Sequence, residues 1–454
     1  MLTSFYRKGI LSLVLAVGIT SCSKDAQVSN VNPENSSFAA LQEKVITPVC
    51  SGCHTAGSDY ALQSGLALTA DVAYNNLVNV AAHYHHAMMD GLLRVKPNAA
   101  EESFLYMKVH GFPENKDYGN PMPLGMTPLS NGQIEFIKRW INAGAPREGV
   151  VADKALLDDT THTPQSAFVP LEAPAPGTGF QLHLEPFDIP TQFEREVFNY
   201  KQLGNSTDLY INRIQTKMRS GSHHFILYTF DQSTPANLIP PYNVMRDLHN
   251  SDGSDNPEVS KLMGYHQFVG GSTTPNMDYH FPEGTALLVP ANTSLDLNSH
   301  YINYTGAVTQ GEVYANLYTV APSQIQHVAR TILLSNTSIH LQPGEHTVIT
   351  SDNLNTFGQP LSIFMLTSHT HARGVKYRIL YKGKPGNPRN GEVLYESDDW
   401  EHPVIKTFDT PIVFNVGEGI TSEATYYNNT DHVINYGLTS QDEMDIVIGY
   451  YYFN

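Results

Sequence analysis

Two of the chain's three cysteines fall in Cys50-Ser51-Gly52-Cys53-His54. A Cys-x-x-Cys-His run is the attachment signature of c-type haem: both thiolates add across the vinyl groups, and the histidine that follows becomes an axial iron ligand. A thioredoxin-like dithiol or half of a zinc site also uses Cys-x-x-Cys. Neither needs the trailing histidine, and no second cysteine pair exists to complete a zinc ribbon. One covalent haem is therefore expected. The other end of the chain carries a different donor set: His223-His224, His300, the triplet His369-Thr370-His371, and Gln441-Asp442-Glu443-Met444-Asp445 ahead of a tyrosine-rich run. Two neutral imidazoles with a thioether suit copper, since sulfur favours Cu(I) and imidazole serves both oxidation states. His-x-His on a strand aims both rings at one face. Adjacent histidines on an ideal strand diverge, and share an ion only through a twist, a bulge or unlike ring nitrogens. Gly221 and Ser222 just ahead of the pair permit such a bend.

The third cysteine speaks to compartment. Arg7 and Lys8, an apolar run over residues 10–19, and Thr20-Ser21-Cys22 give a charged n-region, a short h-region and small residues before a cut. The run is too short to span a bilayer. Residues 1–21 read as a bacterial lipoprotein signal with Cys22 as the lipidated first residue. The expected location is exported, on the periplasmic side of a membrane or at the outer membrane or cell surface, held by the lipid anchor alone. No cysteine then remains for a disulfide, so the C-terminal part depends on its core. The formal net charge is −17, and loses two more positive charges when Arg7 and Lys8 leave with the signal. So acidic a chain is a poor polyanion binder, which argues against nucleic acid.

The elements that position these groups change character along the chain. Residues 22–36 read as a tether. From Phe38 the apolar residues Phe38, Leu41, Val45, Ile46 and Val49 recur at helical spacing and lead into the cysteine motif. Ser130 with Gln133 forms a capping box ahead of the stripe Ile134, Ile137, Trp140 and Ile141, and Gly144 and Pro146 stop that helix. Residues 149–179 form a linker. Beyond it the period becomes two: Phe180, Leu182 and Leu184 alternate with Gln181, His183 and Glu185, and short strand-like runs follow between Gly, Pro and Asn clusters. The expected fold class is multidomain: a small all-α cytochrome c domain over 37–148, then two antiparallel, jelly-roll-like β-sandwich domains over 180–320 and 321–454.

The helical part resembles small class I cytochromes, with a helix before Cys-x-x-Cys-His and a terminal helix whose aromatic packs over the haem. By that resemblance Met122, in Asn120-Pro121-Met122-Pro123, is the second axial ligand of the iron. Met126 competes with it, as does the run His83-Tyr84-His85-His86-Ala87-Met88-Met89. The ordered set His-His, His-Tyr, His-Thr-His and Asp-Glu-Met over residues 180–454 resembles the copper type II, ascorbate-dependent monooxygenases, which include peptidylglycine α-hydroxylating monooxygenase and dopamine β-hydroxylase. The resemblance implies two coppers: an electron-transfer copper on His223, His224 and His300, and an oxygen-binding, catalytic copper on His369, His371 and Met444. It also implies hydroxylation of a substrate C–H bond by O2 at a cleft between the sandwiches. Thr367 and Ile448 stand where the peptide-amidating members carry an arginine and a tyrosine, which argues against peptidylglycine. The expected function is thus a copper monooxygenase acting on a small-molecule or peptide substrate, with an external one-electron donor feeding the fused haem. The alternative is an exported copper-binding electron carrier without oxygenase activity, which would not need Met444.

Overall fold

The computed structural model describes residues 35–454 apart from 114–115, 117, 164–167, 304, 401–402 and 438–441. The signal over 1–21, the lipidation site Cys22, nearly all of the tether and Gln441 lie outside the described residues.

The helix Ser37–Leu41 is capped by the Ser36 hydroxyl, which accepts from the Ala39 N–H at 3.0 Å. It widens to i→i+5 hydrogen bonding across Gln42–Cys50, where Pro48 has no N–H to give. Helix Asn131–Asn142 opens on the Ser130–Gln133 capping box and buries Phe136, Ile137, Trp140 and Ile141 against Phe38, Leu41 and Val45. The same core takes in Ala152 and Leu157, so packing continues past residue 148.

Between those helices the structure departs from expectation. Asp59–Ser64, Ala73–Leu77, His85–Met89 and Phe104–His110 are helices of five to seven residues. Isolated bridges pair Val78 with Val95, Ala81 with Leu93 and Leu93 with Ser103. The expected small all-α cytochrome domain is therefore corrected: the protein is mostly β, and its N-terminal part is a loop-rich segment of short helices and bridges. The reason is local. Gly65, Asn79 and Gly91 adopt positive φ within two residues of the ends of three of these short helices.

From Gly179 onward strands dominate. A five-stranded sheet runs in the order Met245–Asp247, Phe193–Gln202, Ser294–Asn303, Ser222–Phe230, His266–Ser272. A four-stranded sheet holds His346–Leu354, Gly419–Tyr427, Gly374–Lys382 and Val393–Ser397. Both face a single nine-stranded sheet, because His327–Ser335 pairs in parallel with Thr285–Val289 and antiparallel with Ile446–Phe453. Each half keeps a core of its own, and the two sandwiches share that sheet. Phe364, Met365 and Tyr450 from the second half pack into the first half's core, and the Tyr450 hydroxyl donates to the Val269 carbonyl at 2.6 Å. Among the described residues no helix is long and apolar enough to cross a membrane.

Candidate metal centres

In the five-stranded sheet His224 lies opposite His300. The register slips between Ser222 and His224, and Gly221 just ahead adopts φ +86, a left-handed conformation open to glycine. This bulge lets two adjacent histidines reach one point. Ring centroids are 5.1 Å apart for His223–His300, 5.2 Å for His223–His224 and 5.4 Å for His224–His300. One nitrogen from each lies within 4.8 Å of the other two. A tetrahedral ion with metal–nitrogen bonds of about 2.0–2.1 Å needs its nitrogens roughly 3.4 Å apart, so small side-chain rotations close the cluster. His224 Nε2 is 2.9 Å from Asn298 Oδ1 and 3.5 Å from Glu196 Oε1, while His300 Nε2 is 3.6 Å from Glu194 Oε2. The acceptor on His224 Nε2 leaves the Nδ1 of that ring as the nitrogen to donate to a metal. Burial works to raise the Glu196 carboxyl. The hydrogen bond and charge of His224, the charge of His300 and the Asn298 amide outweigh it and hold Glu196 well below the usual carboxylate range. Glu194, Glu196 and Asn298 were missed in the sequence. Their one signal is alternation: Glu194 and Glu196 sit two apart on a strand whose neighbour carries His300.

His369 ends the strand Leu361–His369, and His371 follows it in the turn before Gly374. Their rings converge through that turn and not through the pleat, with centroids 5.1 Å apart and planes at 85°. His371 Nδ1 is 3.1 Å from the Asp442 carbonyl, which leaves Nε2 as the metal-binding nitrogen. The Glu443 side chain accepts backbone N–H groups from His371 at 2.8 Å, Arg373 at 2.6 Å and Met444 at 3.2 Å. One buried carboxyl thus pins the histidine turn to the methionine segment. Met444 is itself buried, and its carbonyl accepts the Tyr426 hydroxyl at 2.7 Å. Sequence reading quoted Glu443 but gave it no role.

Burial, and then repulsion from His371, His224 and His223, holds His369 well below the histidine range. Burial also lowers His371 to about 4. Both rings are neutral at pH 7, so copper uptake here should release no histidine proton. Because the shift is downward, affinity should stay level as pH falls past the ordinary 6.5 and weaken only towards about 4. Calorimetry in two buffers of different ionisation enthalpy checks this; a full proton released per ion near pH 7 contradicts it.

Cys50 ends the first helical segment, and Cys53 and His54 follow in the next turn. With Met122 and Met126 they line one cavity walled by Leu68, Leu77, Phe104 and Leu129. The two cysteines are unbridged. Burial, and then the neighbouring Cys53, raises the Cys50 thiol to about 11. That is the opposite of the depressed thiol of a Cys-x-x-Cys oxidoreductase. His54 Nδ1 is 2.9 Å from the Leu66 carbonyl, which leaves Nε2 for a metal. The donors and the apolar walls meet the needs of a covalently held haem. Met122, Met126 and His83 all border the cavity, so the second axial position stays open among them. Sequence reading also missed Arg94, a cavity-lining cation whose hydrogen bonds go to the carbonyls of Asn76, Ser64 and Gly65. A positive charge in an apolar cavity favours a ligand bearing carboxylates.

No protein-family model matches the chain, and no curated protein matches it. Solved structures give distant likenesses. The major capsid protein P2 from bacteriophage PM2 aligns over 61% of this chain and 98% of its own, at 7% identity and a TM-score of 0.20. A structure of the Sputnik virophage aligns over 65% and 90%, at 8% identity and 0.19. The infectious bursal disease virus VP2 subviral particle aligns over 62% and 74%, at 10% identity and 0.16. At such scores these likenesses carry no argument about function.

Proposed function

We propose that this chain is a copper-dependent monooxygenase that hydroxylates a substrate C–H bond with O2, drawing electrons through a haem bound at Cys50, Cys53 and His54. The observation that carries the reading is the three-histidine cluster, with nitrogens from His223, His224 and His300 within 4.8 Å of one another. In this reading one copper lies among those histidines. The other lies among His369, His371 and Met444, as the resemblance to the copper type II monooxygenases implies. Bound copper supplies one-electron steps toward O2, and bound haem supplies an electron store.

The protein's own part is to orient and to exclude water. Asn298, with Glu196 beside it, orients the His224 ring at the first cluster. Burial keeps His369 and His371 neutral and ready to bind. Thr367 is buried and uncharged, so it offers no cation for a substrate carboxylate. The reading places the protein outside the cytoplasm, anchored by lipid at Cys22, with an external donor restoring the haem. Metal analysis with a visible spectrum tests it: one haem and two copper ions per chain are expected after loading with copper. Zinc in preference to copper, or a single copper, overturns the dicopper reading. Oxygen uptake against a panel of small C–H substrates then tests the reaction, and bound metals without product would leave only an electron carrier.

A further inference from the structure

The haem-motif cavity and the three-histidine cluster are joined at two points. Asn120 sits in the loop that carries Met122, and its Nδ2 donates to the carbonyl of Ser222, one residue before His223, at 2.9 Å. The second point is a short run on the far side of the molecule's sequence. His83, on the cavity wall, lies 3.2 Å from the Asp398 carboxylate, and Asp399 is part of the same wall. Trp400 comes next, with its indole centroid 5.9 Å from the His223 ring. Three consecutive residues therefore lead from the cavity to a proposed copper ligand.

Trp400 is one of only two tryptophans in the chain, and the other serves packing. Trp140 is fully buried in the N-terminal core, and its indole N–H donates to the Pro146 carbonyl at 2.9 Å. The Trp400 indole N–H is buried with no acceptor among the described residues. An indole orphaned in this way costs stability, and nothing in a core role requires one at this place. A delocalised ring in contact with an imidazole couples two redox centres better than saturated side chains of the same bulk.

We propose that Trp400 is the contact through which an electron passes from haem held at Cys50 and Cys53 to copper held by His223, His224 and His300. This rests on the function proposed above and names the coupling element within it. One electron leaves ferrous iron, which becomes ferric, and reduces cupric ion to cuprous. No bond is made or broken and no proton moves, and an external one-electron donor restores ferrous iron. The Asn120–Ser222 hydrogen bond holds the cavity in register with the cluster.

The test uses the full chain loaded with haem and cupric ion. A photoexcited reductant reduces the haem in a flash, the haem absorption band then reports its reoxidation, and freeze-quenched samples report loss of the cupric resonance. Trp400→Leu should slow haem reoxidation about tenfold or more, with copper content, cupric spectrum and haem spectrum unchanged. Trp400→Phe keeps an aromatic ring beside His223 and should recover most of the rate. Equal rates in the intact protein and Trp400→Leu overturn the assignment. So does a slowing in Asn120→Ala with none in Trp400→Leu, which would route the electron through the hydrogen bond. Failure of the intact protein to bind haem or copper overturns the proposed function itself, and this coupling with it.

Discussion

Met444→Leu is expected to abolish substrate hydroxylation while the copper among His223, His224 and His300 stays bound. The substitution removes the only thioether proposed at the second cluster and so weakens its hold on Cu(I). It nearly conserves volume, so its cost in stability should stay below about 1.5 kcal/mol. Hydroxylation should fall by about a hundredfold or more, and copper content from two ions per chain to one. Met444→Ala should lose the same chemistry and also destabilise by about 2–5 kcal/mol, because a side chain only 7% exposed leaves a void. Full hydroxylation in Met444→Leu would make Met444 a packing residue.

The second large effect is on stability. Glu443→Ala strips the acceptor from the N–H groups of His371, Arg373 and Met444, and an orphaned buried donor costs about 1–3 kcal/mol. Sharing and relaxation keep the total near ~3–5 kcal/mol, to be read as a shift in the urea midpoint at unchanged slope. Glu443→Gln retains a carbonyl acceptor and should lose less. The two also differ with pH. Burial, opposed by those hydrogen bonds, raises Glu443 to about 7 from an ordinary 4.5. The folded state therefore prefers the protonated acid, so this group's contribution is full below the ordinary value and declines as pH rises through about 7. Subtracting the Glu443→Gln profile from that of the intact protein isolates the decline; parallel profiles would show that Glu443 does not titrate there.

Local signals in the sequence carried their local consequences. The Ser130–Gln133 capping box opens a helix in the structure, and the alternation around Leu182 and Leu184 marks a strand whose apolar face is buried. The donor types at His223, His224 and His300 were legible in the sequence, and the structure brings those three side chains together. What was hidden depends on contacts between distant residues. The parallel pairing of His327 with Thr285 leaves no mark in either strand, so one shared sheet read as two. The short helices around Ala73–Leu77 and Phe104–His110 follow from where left-handed residues fall, not from apolar period. The roles of Glu443, Asn120 and Trp400 exist only once the chain is folded. The His-Thr-His triplet also misled slightly, since its second ring is placed by a turn.

The shared nine-stranded sheet sets how this molecule can move. Enzymes with two lobes commonly close like a jaw about a flexible connection. Here such a rotation would break the backbone pairs from His327–Thr285 to Ala329–Leu287 and drag Tyr450 out of the opposite core. The two halves are welded into a frame, and the span between the histidine clusters is a constant of the architecture. In the function proposed above, substrate access and the timing of electron delivery would fall to the connecting loops, with the sheet as the fixed ruler between the two halves.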